Sequence, residues 1–92
     1  MQSRLEEKSL HNTYEQIIFL LLRLGNIYGK KDKEGKTYIT TPFTNRELAN
    51  MIGSSRETIS RTMTQLKKKR LISIDKTGYL VLDTGALEKA LF

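Results

Sequence analysis

The chain has 92 residues, 38% of them hydrophobic, and its 16 Lys and Arg outnumber 10 Asp and Glu to give a net charge of +6. This length allows one small core but not two, and the apolar content excludes a disordered chain. With no cysteine and one histidine, the chain has no disulfide or thiol chemistry, and we expect no metal site, no cofactor and no catalytic residue. The charge favours a polyanionic partner, which DNA, RNA or an acidic membrane surface could each be.

The first predicted element is a helix from Thr13 to about Ile27. Asn12 and Glu15 have the spacing of a capping box. Apolar residues then recur at helical intervals, namely Ile17, Leu20, Leu21, Leu24 and Tyr28. A second apolar side predicts that this helix is buried against more than one neighbour. We expect the helix to end at Gly29. The longest apolar run has six residues and is too short to span a bilayer, so we expect no membrane partner.

A charged turn is predicted at residues 30–36, which read KKDKEGK. The TYITTPF segment that follows alternates between apolar and polar residues, which predicts a short strand. Pro42 ends this strand just before the next helix.

A short helix with a glycine at its end is predicted next. Thr44 and Glu47 form a second capping-box pattern, so the helix begins at Asn45. Gly53 tolerates a positive φ and allows the chain to reverse after barely two turns. This arrangement is typical of the first half of a helix-turn-helix.

The second helix of the pair is predicted to start from Ser54, which has capping-box spacing to Glu57, and to run to about Lys69. One side is apolar, with Ile59, Met63 and Leu66. The opposite side carries Arg56, Glu57, Ser60, Arg61 and Thr64. Arginine can bind guanine O6 and N7 together and glutamate can accept from a cytosine amino group, so this face suits the major groove of DNA. The alternative is a solvated polar face.

A β-hairpin is predicted after this helix, because Leu71–Ile74 and Tyr79–Leu82 flank the turn sequence D-K-T-G. Lys76 at its tip can contact a phosphate or merely close the turn. Residues 83–92 predict a short final helix that docks on the core.

The residues at the start of the second helix resemble a known family. Ser55, Arg56, Glu57, Thr58 and Arg61 match the S-R-E-T-x-x-R pattern that begins the recognition helix of Crp/Fnr transcription regulators. Ser60 adds the S-R pair of the Fnr-like branch. The resemblance extends from about Asn12 to Leu82. It implies a mainly α (α+β) fold, a winged helix-turn-helix with a three-helix core and a small antiparallel sheet whose hairpin is the wing.

The same resemblance implies a division of the chain and of its polar residues. Residues 12–92 would form the DNA-binding domain, and residues 1–11 would be a remnant of the linker or dimerisation helix that leads from an effector-binding domain. We therefore expect an excised fragment, with a free-standing protein as the alternative. The expected base-reading residues are Arg56, Glu57, Ser60 and Arg61. The expected phosphate contacts are Thr13, Asn45, Arg46, Ser55, Thr58 and, on the wing, Lys76.

The expected partner is double-stranded DNA, with one domain on each half-site of a palindromic operator. The full-length protein would be a homodimer and this fragment a monomer. The 30–36 loop matches a family surface that touches RNA polymerase, or it is only a solvated hairpin tip. The absence of cysteine fits a cytoplasmic location. The rival function is a winged-helix protein-interaction module, which would carry apolar or acidic residues in place of Arg56 and Arg61.

Overall fold

The computed structural model describes residues 12–91. Its helices pack on one face of a four-stranded antiparallel sheet. The elements in chain order are α1 (Thr13–Tyr28), β1 (Gly29–Lys31), β2 (Lys36–Ile39), α2 (Asn45–Ile52), α3 (Arg56–Lys68), β3 (Ile72–Ile74), β4 (Leu80–Asp83) and α4 (Thr84–Leu91). This confirms the predicted winged helix-turn-helix. Residues 1–11, with their predicted linker role, lie outside the described residues, and so does Phe92.

Helix α1 lies at the centre of the core. The Asn12 side-chain oxygen accepts the Glu15 N–H at 2.9 Å and so caps the helix as predicted. Gly29 ends it and donates its N–H to the Gly25 carbonyl. Its buried residues form one broad side of the helix and are Ile17, Ile18, Leu20, Leu21, Leu24 and Gly25. The helix contacts the other helices and the sheet, which confirms burial against more than one neighbour. The predicted second apolar side is only partly buried, because Phe19 on it is 45% exposed. Of the helices in residues 12–91, none is both long and apolar enough to cross a bilayer.

Two glycines allow α1 to approach the sheet closely. A Cβ added at Gly25 would lie 3.0 Å from the Leu82 side chain. One added at Gly29 would overlap the Thr37 methyl group and lie 2.5 Å from the Gly25 carbonyl oxygen. The Thr37 hydroxyl is buried here and has no hydrogen-bond partner in the described part of the chain. The root of the β1–β2 hairpin is therefore packed directly against α1.

The sheet has the order β1-β2-β4-β3. The prediction that Lys30 and Lys31 belong to a charged turn is wrong, because they lie in β1 and pair with β2. Lysines on an exposed edge strand discourage pairing with a strand of another molecule. An edge strand can therefore form here although apolar and polar residues do not alternate. The strand predicted in TYITTPF ends earlier, at Ile39. The predicted D-K-T-G hairpin is confirmed, and its strand β4 also pairs with β2.

The helix-turn-helix forms largely as predicted. The Thr44 N–H donates to Glu47 Oε1 at 2.8 Å, and the Glu47 N–H donates to Thr44 Oγ1 at 3.0 Å, which completes the capping box. Gly53 ends α2 with φ of 69°.

The predicted cap at Ser54 is wrong. The Ser54 N–H donates to the Ala49 carbonyl and so still belongs to the turn that closes α2. Ser55, with an extended backbone, caps α3 by accepting the Thr58 N–H at 3.1 Å. The consequence is that α3 starts one residue later than a Ser54 cap implies, at Arg56.

Candidate nucleic-acid interface

Helix α3 separates apolar from polar side chains. Ile59 and Leu66 are fully buried, and Met63 is nearly so. The opposite face is exposed and carries Arg56, Glu57, Ser60, Arg61 and Thr64. Within residues 12–91, neither guanidinium group of this face takes part in a hydrogen bond or an ion pair. The face is therefore free to contact another molecule.

A hydroxyl pair marks the start of α3. Ser55 Oγ accepts the Thr58 N–H and donates its own proton to Thr58 Oγ1 at 2.9 Å. The Ser55 hydroxyl therefore already donates one hydrogen bond and accepts another, both within the first turn of α3. The Thr58 hydroxyl keeps its proton for an outside acceptor, because a hydroxyl both accepts and donates.

The start of α2 lies beside the same helix. Asn45 and Arg46 occupy the first turn of α2, whose N–H groups have no carbonyl partner within the helix. Arg46 is exposed, and the half-buried Asn45 lines a groove together with Ser60 of α3. Two of the predicted phosphate-binding residues are therefore next to the predicted base-reading face.

The groove, here called the wing groove, runs between α3, the segment before α2 and the wing, which is the hairpin of residues 72–83. It encloses about 380 Å³, many times what one water molecule needs. Helix α3 contributes Ser60, Thr64 and Lys67, and the wing contributes Ile74, Thr77 and Tyr79. The wing tip, with the exposed Lys76, accordingly stands beside α3.

Hydrogen bonds to one carboxylate hold the wing tip. Asp75 Oδ1 accepts from the Thr77 hydroxyl at 2.7 Å and from the N–H groups of Thr77 and Tyr79 at 3.0 and 2.9 Å. The Thr77 hydroxyl is the main cause of a lowered Asp75 pKa, with the backbone N–H groups assisting and desolvation opposing. Gly78 completes the turn with φ of 93°. Lys76 is thus carried on a turn held by hydrogen bonds to Asp75.

Thr13 lies apart from the other predicted phosphate contacts. It precedes Tyr14, whose ring centroid is 4.9 Å from the Lys69 ammonium at the C-terminal end of α3. Arg56 and Ser55 are at the other end of this 13-residue helix, about 20 Å away at 1.5 Å per residue. The structure brings the remaining predicted residues to α3 and its flanks but places Thr13 near the far end.

Lys67 and Tyr79 line the wing groove but were not among the predicted DNA contacts. Lys67 continues the line of Ser60 and Thr64 at helical spacing, a signal that could have found it. Tyr79 reaches the groove only through the position of the wing, which no local pattern encodes.

The 30–36 loop lies at the other end of the sheet from the wing tip. Lys36 pairs with Asp83, whereas Ile39 pairs with Leu80 beside the wing turn. The Thr84 hydroxyl donates to the Gly35 carbonyl at 3.3 Å. This loop is therefore attached to the start of α4 and not to α3.

Comparison with known proteins gives a consistent result. A Crp-like helix-turn-helix domain matches residues 15–90. The anaerobic regulatory protein of Bacillus subtilis (strain 168) is 34% identical over 82 residues, which are 89% of this chain and 34% of that protein. The chain thus spans about a third of the length of this relative.

Solved structures share the fold. A transcriptional regulator of the CRP/FNR family from Thermus thermophilus superposes with a TM-score of 0.72 at 24% identity, over 94% of this chain and 43% of its own. Reduced CprK without ligand gives a TM-score of 0.68 at 23% identity, over 94% and 42%. Oxidized CprK in complex with o-chlorophenolacetic acid gives 0.69 at 22%, over 83% and 31%.

Proposed function

This chain belongs to the Crp-like helix-turn-helix family of DNA-binding transcription regulator domains, and we propose that it reads duplex DNA sequence-specifically with α3 in the major groove. The observation that carries the proposal is the exposed, unpartnered pair Arg56 and Arg61 on a helix whose other side is buried, within the described residues 12–91. A protein-docking winged helix would instead need an apolar or acidic face here.

Four side chains are proposed to read bases. Arg56 and Ser60 stand one turn apart on α3, as do Glu57 and Arg61, so they form two adjacent columns. The arginines would bind guanine O6 and N7, and Glu57 would accept from a cytosine amino group. Ser60 would support either contact.

The proposed phosphate contacts surround these columns. Thr58 offers its free hydroxyl proton, with Ser55 fixing its orientation. Asn45 and Arg46 combine side chains with the unpaired N–H groups at the start of α2, which favour an anion. Lys76 would approach from the wing. Such contacts, together with the more distant Thr13, set the register of the protein on DNA but carry no sequence information.

The proposed biological unit is a homodimer on a palindromic operator, with one domain on each half-site about one helical turn apart. This chain alone would bind as a monomer and weakly. The position of the 30–36 loop, remote from the reading face, supports a proposed contact with RNA polymerase while DNA is bound. We assign the protein no enzymatic activity and a cytoplasmic location, where a transcription regulator of this family meets its DNA.

The test begins with selection of bound duplexes from a random pool by two covalently joined copies of the chain. On the selected site, Arg56→Ala should weaken the binding free energy by about 1 to 3 kcal/mol and relax the preference at one base pair. Arg46→Ala is the matched control: it should weaken selected and random duplexes alike and flatten the salt dependence. If Arg56→Ala weakened both duplexes equally, Arg56 would not read a base. If no sequence were enriched, the docking function would be preferred.

A further inference from the structure

The wing groove has both polar and apolar walls. Its walls include hydroxyl groups, one lysine and several large apolar side chains, of which Ile74 and Tyr79 remain 49% and 40% exposed. Among the described residues that line it, none is acidic. We propose that the wing groove receives the sugar–phosphate backbone of the DNA strand beside the bases read by α3, with Lys67 on a phosphate and Tyr79 against a deoxyribose.

The wing groove adjoins the exposed face of α3 that is proposed to read bases. This inference rests on that proposed function. Ser60 belongs to both surfaces, and Thr64 and Lys67 follow it along the same side of α3. A helix lying in the major groove has its edges next to the sugar–phosphate backbones that bound that groove. A ligand that extends from Ser60 toward the wing must therefore be the backbone of the strand and not a further base edge.

Lys67 differs from its basic neighbours. Its ammonium group has no partner within residues 12–91 and its side chain lines the groove. The ammonium of Lys69 instead lies over the Tyr14 ring, at 3.4 Å from the phenol oxygen. Lys68 is exposed but does not line the groove. Only Lys67 of the three is thus placed to neutralise a phosphate there.

The apolar wall suits the other half of a nucleotide backbone. A deoxyribose exposes C–H groups that gain from contact with an aromatic ring, whereas water is a poor partner for Ile74 and Tyr79. Thr77 sits next to Tyr79 in the groove, but its hydroxyl proton is donated to Asp75. The lysine therefore supplies the charge and the tyrosine supplies the apolar contact.

The experiment measures how the affinity of the 92-residue chain for a selected half-site duplex varies with salt. For Lys67→Ala, the slope of log K against log salt should fall in magnitude by about 0.9, the value for one lost phosphate contact on B-DNA. Lys68→Ala is the matched control and should leave the slope unchanged. Tyr79→Ala should weaken binding with an unchanged slope, because no charge is lost. The Tyr79 N–H bond to Asp75 comes from the backbone and survives this substitution.

A second measurement locates the contact on DNA. Duplexes that each carry one uncharged methylphosphonate are titrated with the wild-type chain and with Lys67→Ala. One position beside the half-site should weaken the wild-type chain and leave Lys67→Ala almost unaffected. Thermal melts of each variant confirm that it folds.

The outcomes separate this proposal from the one on which it rests. If the wild-type chain does not prefer the selected duplex to a random one, the proposed function fails. If it does prefer that duplex but Lys67→Ala and Lys68→Ala have equal slopes, or no methylphosphonate position distinguishes Lys67→Ala, only the groove proposal fails. Loss of salt dependence on Tyr79→Ala would also overturn it.

Discussion

Two hairpin turns of this molecule share the sequence D-K-x-G and almost the same hydrogen bonds, yet they have different neighbours. In the first turn, Asp32 Oδ1 accepts the N–H groups of Glu34 and Lys36, both at 2.9 Å. In the wing turn, Asp75 Oδ1 accepts the equivalent N–H groups of Thr77 and Tyr79. Each turn closes with a glycine of positive φ, 84° in the first and 93° in the second. The local chemistry is therefore repeated.

The surroundings are not repeated. The first hairpin is packed at its root against α1, and its turn is bonded to Thr84 at the start of α4. The wing turn reaches the groove beside α3. Nearly identical turn chemistry thus produces a support at one end of the sheet and a candidate DNA contact at the other. Which turn stands beside α3 depends on the order of the strands and not on the turn sequence.

The largest expected effect is at the root of the first hairpin. Gly29→Ala should destabilise the chain by about 1 to 3 kcal/mol, because its Cβ would overlap Thr37 and approach the Gly25 carbonyl. Urea unfolding measures the loss. Gly85→Ala is the control, because its Cβ would meet only the Asp83 carboxylate, at an ordinary contact distance of 3.9 Å. Equal stability of the two variants would mean that the first hairpin is not anchored in this way.

The turn glycines should contribute equally to stability but unequally to binding. Gly35→Ala and Gly78→Ala should each lower the free energy of unfolding by about 1 to 2 kcal/mol. The positive φ is the only cause, since neither Cβ would meet an atom within 4 Å. Only Gly78→Ala should also weaken DNA binding, as seen in a fluorescence anisotropy titration. A similar loss of binding in Gly35→Ala would contradict the distinction between the two turns.

The unpaired hydroxyl at the root of the first hairpin predicts a gain. Thr37→Val should raise the free energy of unfolding by about 1 kcal/mol, because a buried donor with no partner in residues 12–91 is replaced by a methyl group of similar shape. Thr62→Val is the matched control. Thr62 is also buried, but its hydroxyl donates to the Thr58 carbonyl at 2.9 Å, so this variant should gain nothing. Chemical denaturation of both variants decides the question.

The two tip lysines give a smaller contrast in charge. Lys76→Ala should lower the salt slope of DNA binding by about 0.9, as one phosphate contact requires. Lys33→Ala, at the matching position of the first turn, should leave the slope unchanged. Equal slopes for the two variants would remove Lys76 from the proposed phosphate contacts.

The smallest effect concerns pH. Because the pKa of Asp75 is lowered in the folded chain, its ionised form stabilises the wing turn at pH values above the unfolded pKa of about 3.9. This stabilisation is lost as the pH falls through the folded pKa. Thr77→Val removes the main cause of the shift, so the Asp75 carboxyl should titrate at a higher pH by NMR. An unchanged titration midpoint would show that the Thr77 hydroxyl does not set it.

The predictions that were confirmed depend on residues close together in the chain. The capping box at Thr44 and Glu47, the reversal at Gly53 and the D-K-T-G hairpin each depend on residues within about four positions. The same is true of the two faces of α3, because helical periodicity alone separates them. The roles proposed for its exposed side chains stay predictions, since the fold presents them without showing what they bind.

The errors share a different cause. Ser54 has the residue type and spacing of a cap, but Gly53 and Ala49 draw its N–H into the preceding turn. The first hairpin has the turn sequence D-K-E-G, but the two lysines of β1 hid the strand. In the first case a neighbouring turn competed for Ser54, and in the second the pairing with β2 outweighed the composition of β1.

By itself the sequence determined where the helices of the helix-turn-helix begin to within a residue, how the chain turns between them and which side of α3 is apolar, because those features follow from contacts between close neighbours in the chain. Only the tertiary structure decided that β2 pairs with β4, that Thr37 is buried and that the wing stands beside Lys67. These features depend on segments far apart in the chain, which only the folded chain brings together.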